Sequence, residues 1–165
     1  MSWLNDRLEG PLRKAAADPR YRPAIDAVLA AQKDDVAARD LAAVARQAMR
    51  DQYVRDGRRL DPEDINYDAH LAASVAALEK PYQLGDVPAG GDKAQHYWVS
   101  GAISSKVDAA LDKLWVVPGF MRRGLGVGIS MGLGFLKEVA DVFGSGFSTA
   151  DLSADWRGAT GAFRR

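Results

Sequence analysis

Cysteine is missing from all 165 positions, which excludes disulfides, thiolate metal sites, a cysteine nucleophile and a lipidated cysteine together. Net charge is missing as well. Lys+Arg and Asp+Glu both number 22, and residues 1–80 and 81–165 are each nearly balanced. No global field draws in a polyanion, so nucleic acid is not an expected partner. There is also no long apolar run. The longest stretch without a charge, 124–136, has 13 residues, whereas a spanning helix needs about 20. It reads as a buried helix. The first ten residues are acidic where a leader is basic and contain no apolar core, so ordinary secretion is not expected and the chain reads as cytoplasmic when made. Strand-like alternation with regular turn signals is absent too, which leaves an all-α reading.

What the chain does contain is helical periodicity. Pro11, Pro19 and Pro23 punctuate the start, and residues 24–31 and 34–55 carry apolar positions at helical spacing. Asp61-Pro62-Glu63-Asp64 predicts an N-cap with proline in the first turn, opening a helix through Leu78. Residues 81–91, rich in Pro and Gly, form a linker. Three more helices are predicted over 92 to about 114, 122–143 and 148–163, the last opening with Ser148-Thr149-Ala150-Asp151, a capping-box pattern. The organisation is thus an N-terminal helical segment (1–80), a linker (81–91) and a C-terminal helical domain (92–165).

Glycine is concentrated in one predicted helix. Gly124, Gly128 and Gly132 lie four apart, alongside Gly126 and Gly134, although each glycine costs up to about 1 kcal/mol relative to alanine in a helix interior. Such a stripe lets another backbone approach closely, or leaves room for a ligand. The fold expected is a compact helical bundle with this Gly-rich helix at its centre.

Titratable residues inside apolar helical sequence must pair, share protons or bind a cation if they are buried. Asp92 and His96 are four apart, so Asp92 either orients the imidazole or caps the helix. Glu138 and Asp141 share a face. Turned inward, one of the two resists ionising and suits a general acid; turned outward, they are a solvated helix end. Asp151 is explained by the capping box, whereas Asp155, a turn further in, has no such explanation. His70 reads as an ordinary core or surface histidine. Gly128-Ile129-Ser130-Met131-Gly132 matches a serine-hydrolase elbow in letters only, since it lacks the preceding strand and a later histidine.

Taken in order, the three motifs Asp92-Lys93-Ala94-Gln95-His96-Tyr97, Lys137-Glu138-Val139-Ala140-Asp141 and Ser148 through Ala159 resemble the YfiM-like family of small bacterial envelope lipoproteins, which are similar to VanZ-like proteins. The resemblance spans about residues 90–163. It implies a membrane-associated helical bundle with the polar motif residues inside. The chain departs from that family in lacking the lipidated cysteine and in carrying residues 1–80. A phage product or a secretion-system effector would combine such a domain with a non-classical route to the envelope.

The expected site therefore gathers His96, Glu138, Asp141 and Asp155 as acid/base groups, supported by Asp92, Lys93, Lys137 and Asp151. His96, Glu138 and Asp155 would be the ligands of any divalent ion such as Mg, Mn or Zn. The chemistry expected is hydrolysis of an envelope component, a glycan or a lipid-linked substrate, with Glu138 as acid or base. The rival is a binding or interaction protein whose polar cluster is structural, with pairs such as Lys93 to Glu138 or Lys137 to Asp155. A third reading places Trp98, Trp115, Val116, Val117, Phe120 and Met121 on a membrane surface.

Overall fold

The structure is a computed structural model and describes residues 3–33, 36–87, 93–141 and 148–163, with side chains for 10–33, 36–87, 93–136 and 148–163. Among the described residues it is all helical. Seven helices follow in order: α1 (Trp3–Ala17), α2 (Arg22–Ala31), α3 (Ala38–Arg55), α4 (Pro62–Glu79), α5 (Lys93–Asp112), α6 (Gly119–Asp141) and α7 (Thr149–Gly161).

Local chemistry sets several of the ends. Asp61 accepts from the Glu63 and Asp64 backbone N–H groups at 3.1 and 3.3 Å, with Pro62 beginning α4, as the spacing predicts. Ser148 caps α7 in the same way, accepting from the Asp151 N–H at 3.1 Å. Pro11, read as punctuation, instead lies within α1 on its exposed side, where solvent serves the carbonyl a proline cannot bond. Helix α3 starts at Ala38, and its N-terminus is capped from a distance. The Ala38 N–H donates to Asp86 Oδ1 at 2.9 Å, and the Gly85 N–H donates to the Val36 carbonyl at 3.0 Å.

That cap belongs to the predicted linker, whose described part is a packed strap. Leu84 and Val87 are buried, the Trp98 indole donates to Tyr82 Oη at 2.6 Å, and the Asp86 carbonyl accepts from Arg157 of α7 at 2.8 Å. One core cluster runs from Leu12 to Ala154, so residues on both sides of the strap share a single apolar interior.

The helix buried on nearly every side is α4, from Ile65 through Ala77, packed against α1, α2, α3 and α5. Helix α5 joins it to α6 and α7. The Gly-rich helix, expected at the centre, flanks α5 and α7. A helix with so few side chains on one face has little volume to offer a surrounded position. Elsewhere close packing is achieved with alanine, which supplies 16 of the 29 buried hydrophobic residues described.

The N-terminal helices are fastened by one buried carboxylate. Asp68 of α4, 7% exposed, accepts from Tyr21 Oη at 2.8 Å and Tyr53 Oη at 2.6 Å. Burial, reinforced by the Asp68 charge, pushes both phenol pKa values up and keeps them neutral donors. Arg58 lies over the Tyr53 ring, 3.8 Å from its centroid. Asp68→Ala strips two hydroxyls of their acceptor, and we expect it to lower stability by about 2–4 kcal/mol. Urea denaturation measures this, and a loss below about 0.5 kcal/mol would show that the fastening does not operate.

Candidate functional site

The residues with chemistry meet where α5, α6 and α7 converge. Lys93, His96 and Ser100 follow one another at intervals of three and four along α5, which places them on one face. Asp151 and Asp155 are four apart on α7 and face them. His96 Nδ1 lies 3.2 Å from Asp155 Oδ1, and the Ser100 hydroxyl donates to the same oxygen at 2.7 Å. Lys93 Nζ is ion-paired with Asp151 Oδ1, and Asp151 Oδ2 is 3.8 Å from His96 Nε2. The result is a continuous polar chain from Lys93 through Asp151, His96 and Asp155 to Ser100. It is largely withdrawn from water, since the Lys93, Asp151, His96 and Asp155 side chains are 12, 10, 13 and 5% exposed.

Small residues make this burial possible. A Cβ at Gly134 of α6 would stand 2.5 Å from Asp155 Oδ2, so the absence of one lets that carboxylate rest directly against the helix. A Cβ at Gly158 would overlap the Tyr97 carbonyl, so only glycine allows α7 to approach α5 this closely. Ser130 completes the junction by donating to the Ser100 carbonyl at 3.1 Å. Its buried position within a helix is consistent with dismissing it as an elbow nucleophile. Of the glycines in the predicted stripe region of α6, Gly126 and Gly134 touch the core. Gly124, Gly128 and Gly132, the stripe expected to receive another backbone, point away and meet nothing within 4 Å.

Of the predicted site residues, His96 and Asp155 are in direct contact, and Lys93 and Asp151 surround them. Glu138 and Asp141 belong to the last turns of α6, with Glu138 four residues beyond Gly134, but their side chains lie outside the described residues, as do those of Asp92 and Lys137. Lys93, expected opposite Glu138 in a structural pairing, is bonded to Asp151 in addition to its other interactions. Ser100 escaped sequence reasoning. Its position four residues after His96 was the available signal, but serine is common in helices and only the fold brings it to Asp155. Among the described residues no group of three or more His, Cys, Asp or Glu is arranged to hold a metal ion.

Chemically, the arrangement can hold an imidazole in one orientation. A carboxylate bonded to Nδ1 fixes the ring and its tautomer, with Nε2 turned toward Asp151 Oδ2 at 3.8 Å. Among the described groups, Lys93 pairs with one buried carboxylate and His96 faces the other.

A second buried network lies behind the first. Asn66 donates through Nδ2 to Ser105 Oγ and to the Ala162 carbonyl, both at 2.9 Å, and its backbone carbonyl accepts from His70 Nδ1 at 2.8 Å. His70 packs by Trp98 and against Gly101, where a Cβ would come within 2.5 Å of the ring, and its Nε2 has no hydrogen-bond partner among the described residues. The core reading of His70 is therefore the correct one.

No family model, curated protein or solved structure matches this chain.

Burial lowers the His70 pKa to about 4, with the positive charge of Arg46 acting in the same direction. Above pH 6.5 both the folded and unfolded forms are neutral at this group, so its contribution is complete. As pH falls from 6.5 towards 4 the unfolded chain gains a proton that the folded one refuses. Stability should then drop by up to about 3 kcal/mol from this group. Urea midpoints compared at both ends of that window measure the step in the native protein, and the His70→Gln variant should show a smaller one. An equal step in both proteins would acquit His70.

Proposed function

We propose that the α5/α7 junction is an acid/base site in which His96, oriented by Asp155, transfers the proton in a hydrolytic reaction. The observation that carries the reading is the His96 Nδ1 to Asp155 Oδ1 contact at 3.2 Å, buttressed by Ser100 on the same oxygen. A general base needs a fixed ring and a defined tautomer, and a buried carboxylate on Nδ1 supplies both. Glu138 and Asp141 enter as the second acid/base groups on the strength of the motif order, which places both in the last turns of the helix that carries Gly134. The substrate class, a glycan or lipid-linked component of the bacterial envelope, rests on the resemblance of residues 90–163 to YfiM-like and VanZ-like proteins. So does the proposal of a phage product or effector as its carrier.

One observation favours a second reading, in which the cluster is a structural fastener of a binding protein. The Lys93 to Asp151 ion pair is closed and nearly buried, an arrangement that fixes helix register whether or not any reaction follows. The two readings part at His96. Replacement by Gln keeps a polar group of similar size and removes proton transfer. As a base, His96→Gln should lose about 10²-fold or more in turnover of isolated cell-wall glycan or lipid-linked phosphate, with its denaturation midpoint held. A variant that hydrolyses as well as the native protein, or a native protein inert on both substrate classes, would leave the fastener.

A divalent ion remains part of the proposal, through His96, Glu138 and Asp155. If Mg, Mn or Zn binds the folded form there, saturating ion raises the melting temperature by mass action, and Asp155→Asn abolishes the rise. Melting curves of the native protein that ignore all three ions would restrict the site to metal-free chemistry.

A further inference from the structure

Helix α6 is apolar on both sides. Its inner face, through Gly126, Ser130 and Gly134, packs on α5 and α7. Its outer face presents Leu125, Ile129, Phe135 and Leu136, each roughly half exposed, around the open glycines 124, 128 and 132. No acidic or basic residue interrupts it from Gly124 to Leu136. A helix that is hydrophobic all round is ordinarily covered all round. Here, among the described residues, the outer half is about half exposed, and Trp115 and Phe120, in the turn before the helix and in its first turn, are 88% and 77% exposed.

We infer that this face is the contact between two copies of the chain. Area is the first argument. Fully covered aromatic side chains bury about 150–250 Å² each, so Trp115, Phe120 and the exposed half of Phe135 present on the order of 400 Å² to solvent. With the aliphatic residues the patch reaches about the 800 Å² that each partner contributes to a stable interface, beyond the few hundred Å² that monomers normally expose. Shape is the second. Bulky residues flank a groove of glycines four apart, so the same face on another copy fits it about a two-fold axis, as an isologous dimer requires.

Charge argues against a membrane as the occupant. Among the described residues the neighbouring cations are engaged, Arg122 with Asp108 at 3.1 Å and Asp112 at 2.5 Å, Lys113 with Asp64 at 3.4 Å, and Arg123 with the Phe163 ring, 5.8 Å from its centroid, so few described cations face outward to meet anionic lipid. No helix among the described residues is long and apolar enough to cross a bilayer.

The test is the mass of the full chain by sedimentation across a concentration series, beside that of Ile129→Glu. The native protein should be a dimer. The variant should dissociate at least 10²-fold more readily, with an unchanged far-UV spectrum, because its carboxylate is exposed in the monomer and would be buried unpaired in the dimer. A second variant guards against misfolding. The chain has no cysteine, and a Cβ at Gly128 meets nothing, so Gly128→Cys should oxidise to a covalent dimer without loss of structure. A native protein that stays monomeric throughout overturns the inference, as does one that remains monomeric while binding phosphatidylcholine–phosphatidylglycerol vesicles. Failure of Gly128→Cys to cross-link in a folded, dimeric sample moves the contact elsewhere and overturns it equally.

Discussion

The C-terminal half depends on how closely α7 can lie against α5. Gly158 sets that distance, because its Cα rests where any side chain would strike the Tyr97 carbonyl. Once the two backbones are in contact, side chains one and two turns along the same faces come within hydrogen-bonding reach. Asp155 meets His96 and Ser100, and Asp151 meets Lys93. Gly134 performs the same service from α6 by receiving the outer oxygen of Asp155. Burial of the two carboxylates is thus a consequence of helix proximity. Their pairing is what makes the proximity tolerable, since an unpaired charge at 3–7% exposure would cost several kcal/mol.

The same rule governs the other half. Asp68 draws Tyr21, beside α2, and Tyr53 of α3 onto α4, and Asp86 of the strap holds the start of α3 while its carbonyl receives Arg157 of α7. Carboxylates therefore act at several junctions between distant segments of a chain that has no disulfides. Each is a point of order in an interior otherwise too small-featured to fix helix register by shape alone.

Features written in neighbouring residues were legible. The Asp61 and Ser148 caps, the proline start of α4 and the all-helical class follow from chemistry that acts within one turn. That His96 and Asp155 would find polar partners was also readable, because an acid and an imidazole set in apolar helices must do so once those helices pack. Features that depend on which faces meet were not. Four-residue glycine spacing announces a smooth face but not its direction, and the fold places Gly126 and Gly134 inside while Gly124, Gly128 and Gly132 look outward. Trp98, grouped by sequence with a membrane-facing segment, is fully buried on Tyr82, while Trp115 and Phe120 from that group are bare. Ser100 and the Lys93 to Asp151 pair are contacts over more than 50 residues, beyond any local pattern.

The prevalence of alanine in the interior carries a consequence for how this protein can change over generations. A core of large side chains is vulnerable to losing volume, because each truncation opens a void. This core has little volume to lose at most of its positions and almost none to gain. At Ala24, Ala38, Ala45, Ala72, Ala73 and Ala76, each fully covered, even one added methylene must displace a neighbouring helix. Drift at these sites is therefore one-sided: glycine alone adds no atom there, and variation is pushed outward to the surface and to the ends of the helices.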